Sequence, residues 1–157
     1  MIDDLYSARV LALVADMPRA GRLAAPQGSA EKVAKLCGSR IIVDVTLDEQ
    51  GRVADYAQDV KACALGQATA AVLGAHVLGT DLAELTLTRD ALRAMLKANG
   101  PVPTGRFSEL SVLEPVKDYP ARHASTLLAF EAAVEAVQAA SNVRDVTKTR
   151  TSSAGAA

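Results

Sequence analysis

The sequence predicts an α+β domain, a three-stranded antiparallel sheet packed on one face by helices. Three observations carry this. Helical periodicity opens the chain, three strand-like segments follow, and helical periodicity then holds from Ala64 onward. The links between the strand-like segments are too short for a crossover, so the pairing is antiparallel. The last helical segment places Leu127, Phe130, Val134 and Val137 on one stripe, an apolar face that has to be buried.

The elements follow in order. Asp3 to Asp16 reads as a helix, with Leu5, Val10, Leu13 and Val14 near helical spacing and Asp3 or Asp4 as cap. Met17-Pro18 ends it, and Arg19 to Gly28 is a loop with Gly21, Pro26 and Gly28. Ala30 to Gly38 forms a first strand. Arg40 to Leu47 is the clearest, with Ile41, Val43, Val45 and Leu47 alternating against Asp44 and Thr46. Asp48-Glu49-Gln50-Gly51 makes a short turn, and Arg52 to Ala62 is a third strand whose poorer alternation leaves its register open. Asp44, Asp48, Asp55 and Asp59 read as the solvent face and turn of this hairpin.

Ala64 to Leu78 is a helix ending at Gly79. Asp81 to Leu85 is a short turn or helix, and Thr88 caps a further helix through Ala98 that Gly100-Pro101 stops. Ser108 to Leu113 is a short helix. Pro120 begins a final helix that runs to about Ala140. Ser141 to Ala157 is polar, so a single domain over 1–140 with a frayed or disordered tail over 141–157 is expected.

Composition excludes several classes. The chain has 157 residues, 50% of them hydrophobic, with two Phe, three Tyr and no Trp. The core is therefore Leu, Val, Ile and Ala, and aromatic base stacking is not on offer. The formal net charge is −1, with acids and bases interspersed, which argues against a nucleic-acid groove. No apolar run reaches the length of a membrane span. The opening Met1-Ile2-Asp3-Asp4 is acidic where a secretory signal is basic, so a cytoplasmic location is expected. Thiols there stay reduced, with a disulfide between the two cysteines as the alternative.

Chemistry is carried by residues at element ends. The two cysteines, Cys37 and Cys63, stand in Cys37-Gly38-Ser39 between two strands and in Ala62-Cys63-Ala64 where a strand gives way to a helix. His123 stands at the start of the last helix. Two sulfurs and an imidazole at three element ends suit a metal or cluster site with a fourth position open. A helix N-terminus and nearby Lys61 favour the Cys63 thiolate, and Gly38 lets backbone amides turn toward the Cys37 sulfur. The structural alternative makes each cysteine a small apolar residue and His123 a hydrogen-bonded core histidine on the face of Leu127, Phe130 and Val134. His76 lies thirteen residues beyond Cys63, roughly 20 Å along the helix, and is set aside as packing or surface. Gly66 and Gly74 lie inside a helix and do not make a phosphate loop. A third reading is a small enzyme with Cys63 as nucleophile beside His123.

At these residues the chain resembles the NifU N-terminal-domain (IscU-like) family of iron–sulfur cluster assembly scaffolds. Cys37-Gly38-Ser39 resembles the family's Cys-Gly-Asp, and Ala62-Cys63-Ala64-Leu65-Gly66 its Gly-Cys-Gly-Ser-Ala segment. His123-Ala124-Ser125 resembles its His-Cys-Ser. The resemblance runs over about residues 3 to 140 and implies a NifU/IscU-like fold. It implies no enzyme, but a carrier that holds iron, zinc or a [2Fe–2S] cluster through Cys37, Cys63 and His123, with Ser39 at the family's Asp position. It further implies a cysteine desulfurase as sulfur donor and apo-proteins as acceptors. Leu113-Glu114-Pro115-Val116-Lys117 resembles the segment that binds an Hsp70-type chaperone, here as an exposed, extended peptide. Two positions depart from the pattern: Ser39 replaces Asp, and Ala124 replaces the third cysteine, the usual sulfur acceptor. A zinc-binding or metal-free adaptor that keeps the scaffold fold is the alternative. Arg122 either hydrogen-bonds a bound anion or faces solvent.

Overall fold

The fold is described from a computed structural model, which covers the backbone of residues 6–156 and the side chains of 6–145. It is an α+β domain in which one three-stranded antiparallel sheet, ordered β1-β2-β3, carries helices on one face. The elements are α1 (Ala8–Ala15), β1 (Gly28–Ala34), β2 (Ser39–Leu47), β3 (Val53–Lys61), α2 (Ala64–His76) and α3 (Leu82–Lys97). Two 3₁₀ segments (Gly105–Asp118 and Pro120–Arg122) and α4 (His123–Ala156) complete the chain. Among the described residues no helix is long and apolar enough to cross a membrane.

Pairing fixes the register that alternation left open. Val43 lies opposite Gln58 and Val45 opposite Tyr56, with an irregularity between Thr46 and Leu47. Ile41, Val43 and Val45 are fully buried, each contributing on the order of 1.5–3 kcal/mol by burial. Opposite them β1 offers Gly28 and Ala30, and α4 offers Ala129, Ala132, Ala133, Ala136 and Ala140, all buried. This small-on-small packing explains the abundant alanine. A Cβ at Gly28 would lie 2.3 Å from the Ala136 carbonyl oxygen, so only glycine lets α4 come this close to β1.

Several boundaries shift, each for a local reason. α1 starts at Ala8, where the Ser7 hydroxyl accepts from the Val10 amide at 3.3 Å; Asp3 and Asp4, the expected caps, lie outside the described residues. β1 begins at Gly28 and yields to a turn over Lys35–Gly38. The region expected as two pieces around Thr88 is one helix. Asp81 caps it by accepting from the Glu84 amide at 2.8 Å, while the Thr88 hydroxyl turns back to the Glu84 carbonyl. α4 continues past Ala140 in backbone to Ala156. No glycine or proline intervenes before Gly155, and Arg144 donates to the Glu49 carbonyl in the β2–β3 turn. The side chains beyond Asp145, on which the expected tail depends, lie outside the described residues.

Two expectations are overturned. Asp44 is not on a solvent face. Its side chain is fully buried beneath the 19–27 segment, where Arg22 pairs with it through both Nε and Nη2. The same segment bridges the outer edge of β3, with the Gly21 amide donating to the Gln58 carbonyl oxygen at 2.8 Å. Leu113–Lys117 is not an exposed, extended peptide either. It winds as 3₁₀ helix and sends Leu113 and Val116 into the core, because its apolar residues sit three apart, one 3₁₀ turn.

Candidate functional site

Three chain junctions meet at one end of the sheet: the β1–β2 turn, the β3–α2 link and the start of α4. Cys37 is exposed on the first. Gly38 follows it at φ 73°, a left-handed conformation glycine adopts without steric cost. The turn brings Ser39 back under the sulfur, with its hydroxyl 3.0 Å from Cys37 Sγ. Ser39 is buried, and its Oγ also accepts from the Cys63 amide at 3.4 Å. One hydroxyl therefore ties the two cysteine-bearing junctions together.

Cys63 is half-buried at the N-cap position of α2, where its side chain does not cap the helix. Its Sγ lies 3.4 Å from Ser125 Oγ, which in turn donates to the Arg122 carbonyl oxygen. Gly66 makes this approach possible. A Cβ there would stand 2.9 Å from Ala62 Cβ and 3.1 Å from the Ser125 carbonyl oxygen, so a side chain would push α2 away from α4. Both cysteines are free thiols, so the disulfide alternative is not the state described.

The electrostatics single out Cys37. The Ser39 hydroxyl, then the Ser39 backbone amide, hold its thiol below the ordinary value. Slight burial works against them, and the Ser125 hydroxyl adds to the lowering.

His123 stands apart from this group in its bonding. It is buried, and its Nε2 lies 3.0 Å from the Val116 carbonyl oxygen. Among the described residues no three His, Cys, Asp or Glu side chains form a ready metal cage. The structure thus joins Cys37, Ser39 and Cys63 through hydrogen bonds and engages His123 with the preceding 3₁₀ segment. His76 is at the surface, 4.0 Å from Glu109 and edge-on to Phe107, as helix geometry required. Sequence reasoning missed Ser125 as a partner of Cys63, although it stands in the His123-Ala124-Ser125 segment. It also missed the role of Gly66, which only the packing of two helices reveals. Ala124 is exposed beside Ser125.

The family model for the NifU-like N-terminal domain matches residues 5–126. The chain belongs to the NifU-like N-terminal domain family. Solved structures agree with that membership. A nitrogen-fixing NifU-like protein (N-terminal) from Brucella abortus is 46% identical with a TM-score of 0.87, over 90% of this chain and 97% of that one. A candidate iron–sulfur cluster assembly scaffold protein for the SUF system from Fervidobacterium islandicum AW-1 shares the fold. Its TM-score is 0.78 at 18% identity, over 86% of this chain and 98% of that one. No curated protein matches the chain. Within the matched range, Cys37, Cys63 and the start of α4 come together at one end of the sheet.

Proposed function

We propose that this chain is a non-enzymatic carrier for iron–sulfur assembly, holding iron or a [2Fe–2S] cluster as cargo at Cys37 and Cys63 and passing it to acceptor proteins. The observation that carries the reading is the hydrogen-bonded pairing of the two cysteine junctions through Ser39 on a NifU-like fold. An exposed, hydrogen-bonded thiol at Cys37 suits receipt of iron and sulfur, and half-buried Cys63 shelters the second bond from solvent. A cysteine desulfurase is the matching sulfur source. His123 serves as a further ligand if its ring leaves the Val116 carbonyl, and Ser39 positions both thiols. Anaerobic reconstitution with iron and sulfide tests this. A visible absorption band in the wild type that disappears in Cys37→Ala and in Cys63→Ala is expected; no band in the wild type removes the reading.

One observation favours a second reading. Ala124 stands where the family has its third cysteine, and His123 Nε2 is already engaged. A zinc-binding or metal-free adaptor fits those facts. Zinc at one per chain with no acid-labile sulfide supports the zinc form. No metal, and melting unchanged by chelator, supports the metal-free form.

A further inference from the structure

β3 lies at an edge of the sheet, where backbone amides and carbonyls lack a neighbouring strand. Three different groups cover that edge. Near its start, the Val53 amide donates to the Thr80 carbonyl at 2.7 Å, and the Val53 carbonyl accepts from the Gly79 amide at 2.9 Å. The Tyr56 amide donates to the Asp55 carboxylate at 2.9 Å. At Gln58 the cover is the 19–27 segment: the Gln58 amide donates to the Arg19 carbonyl at 2.9 Å, and its carbonyl accepts from the Gly21 amide at 2.8 Å. The first cover belongs to the α2–α3 connection and the second to β3 itself. The third crosses over from a distant part of the chain.

What holds that third cover differs from what holds its flanks. No side chain between Arg19 and Gln27 is fully buried. The segment is fastened by polar bonds: Arg22 and the Leu23 amide to Asp44, the Gln27 amide to the Val45 carbonyl, and the Leu47 amide to Gln27 Oε1. Arg19 stands at φ 57°, a left-handed conformation that costs any residue with a Cβ. Both flanks are packed instead. Before it, Val10 of α1 is fully buried, and Gln58 Nε2 donates to the Pro18 carbonyl at 3.1 Å and to the Ala70 carbonyl of α2 at 2.9 Å. A Cβ at Gly74 would lie 3.0 Å from the Pro18 carbonyl oxygen, so α2 and the end of α1 touch backbone to backbone. After it, Gly28 is pressed against α4.

We propose that residues 19–27 form a strap that opens as one unit while α1, the sheet and α2 to α4 stay folded, uncovering Asp44 and the outer edge of β3 at Gln58. Opening exchanges polar bonds for bonds to water and relaxes Arg19, whereas opening the sheet would expose Ile41, Val43 and Val45. Asp44 is the latch, since three of its four donors come from the strap. The charged groups around that latch are Arg22 from the strap, Glu31 from β1 and Asp59 from β3. The two acids keep Arg22 charged, so the group that lets go is the Asp44 carboxylate, when it takes up a proton. Ser39 stands five residues from Asp44 along β2, roughly 17 Å at about 3.4 Å per residue. The cysteine end therefore stays closed when the strap lifts, and the inference is independent of the carrier reading.

Native-state hydrogen exchange and limited trypsin digestion of the full chain test this, with Arg19 and Arg22 placing two tryptic bonds inside the strap. The amides of Gly21, Leu23, Gln27 and Gln58 should share one opening constant, larger than that of the Val43 and Val45 amides. The first tryptic cuts should follow Arg19 or Arg22. Asp44→Asn, and separately Arg22→Ala at a half-exposed position, should each raise the shared constant about tenfold, the effect of weakening a half-exposed charged hydrogen bond. Alkylation of half-buried Cys63 should keep its wild-type rate in both. In the wild type the constant should rise as pH falls below about 4, and in Asp44→Asn it should stay flat. Strap amides that open only as fast as Val43 overturn the proposal, as do first cuts elsewhere or a constant unmoved in both variants. Cys63 alkylation that accelerates in step with the strap also overturns it, because the opening is then not confined to residues 19–27.

Discussion

Two polar groups hang on the same strand, and they behave oppositely. Asp44 in β2 receives four hydrogen bonds: from Arg22 Nε at 2.6 Å, Arg22 Nη2 at 3.1 Å, the Leu23 amide at 3.0 Å and the Ser29 hydroxyl at 2.6 Å. That count fills the acceptor sites of a carboxylate. Five residues earlier, the Ser39 hydroxyl has two contacts, the exposed Cys37 sulfur at 3.0 Å and the Cys63 amide at 3.4 Å. The saturated group has nothing left to offer a ligand and serves to hold the 19–27 segment on the sheet. The thiol that Ser39 supports is exposed instead, open to solvent on the β1–β2 turn. Acidic residues drew attention to neither end, so saturation is a better guide to role than residue type.

The difference can be broken from either side. Asp44→Ala should have the largest effect on folding, about 2–3 kcal/mol lost in urea unfolding, because it leaves Arg22, Ser29 and the Leu23 amide unpaired. Metal loading per folded chain should not change. Burial pushes the Asp44 carboxyl up, but the donors from Arg22, Ser29 and Leu23 outweigh it and hold it below the usual carboxylate range. Its contribution is therefore present above about pH 4 and lost as pH falls through the depressed value. An Asp44→Asn chain should show a flatter acid limb in a stability–pH series.

Gly66→Ala should cost about 1–2 kcal/mol by overpacking. Unlike Asp44→Ala, it should also reduce loading, because it moves Cys63 from Ser125. Calorimetry and iron assay on one preparation separate the two effects.

Smaller changes sharpen the site end. Cys63→Ser should stay within about 1 kcal/mol of the wild type in stability yet lose most of its iron, whereas His76→Ala should keep it. If His76→Ala is the worse change, the assignment of His76 to the surface fails. Ser39→Ala should shift the pH midpoint of Cys37 alkylation upward, since the hydroxyl that lowers the thiol pKa is gone. An unmoved midpoint makes Ser39 a bystander. Ala124→Cys should strengthen cluster retention, read as slower bleaching of the visible band.

Much of this was legible in the chain. Alternation of Ile41, Val43, Val45 and Leu47 reports one buried face, and the strand lengths with short turns leave few ways to pair them. The junction positions of Cys37, Cys63 and His123 follow from where periodicity changes. What was not legible came from tertiary packing. Asp44 alternates as a surface residue does, and only the returning 19–27 segment buries it. Asp81 is the cap rather than Thr88 because the helix already starts at Leu82, which leaves Thr88 in its interior with its hydroxyl donating back to the Glu84 carbonyl. The 3₁₀ winding of Leu113–Lys117 places Val116 under His123, a partnership that residues seven apart do not announce. Gly66 matters because Ser125, far away in sequence, presses against it.

The most direct test is the iron and acid-labile sulfide content of protein purified without oxygen, compared with Cys37→Ala and Cys63→Ala prepared identically. The account predicts iron and sulfide in equal amounts in the wild type and neither in the two variants. Equal iron and sulfide in all three proteins would contradict it, as would a wild type that carries neither.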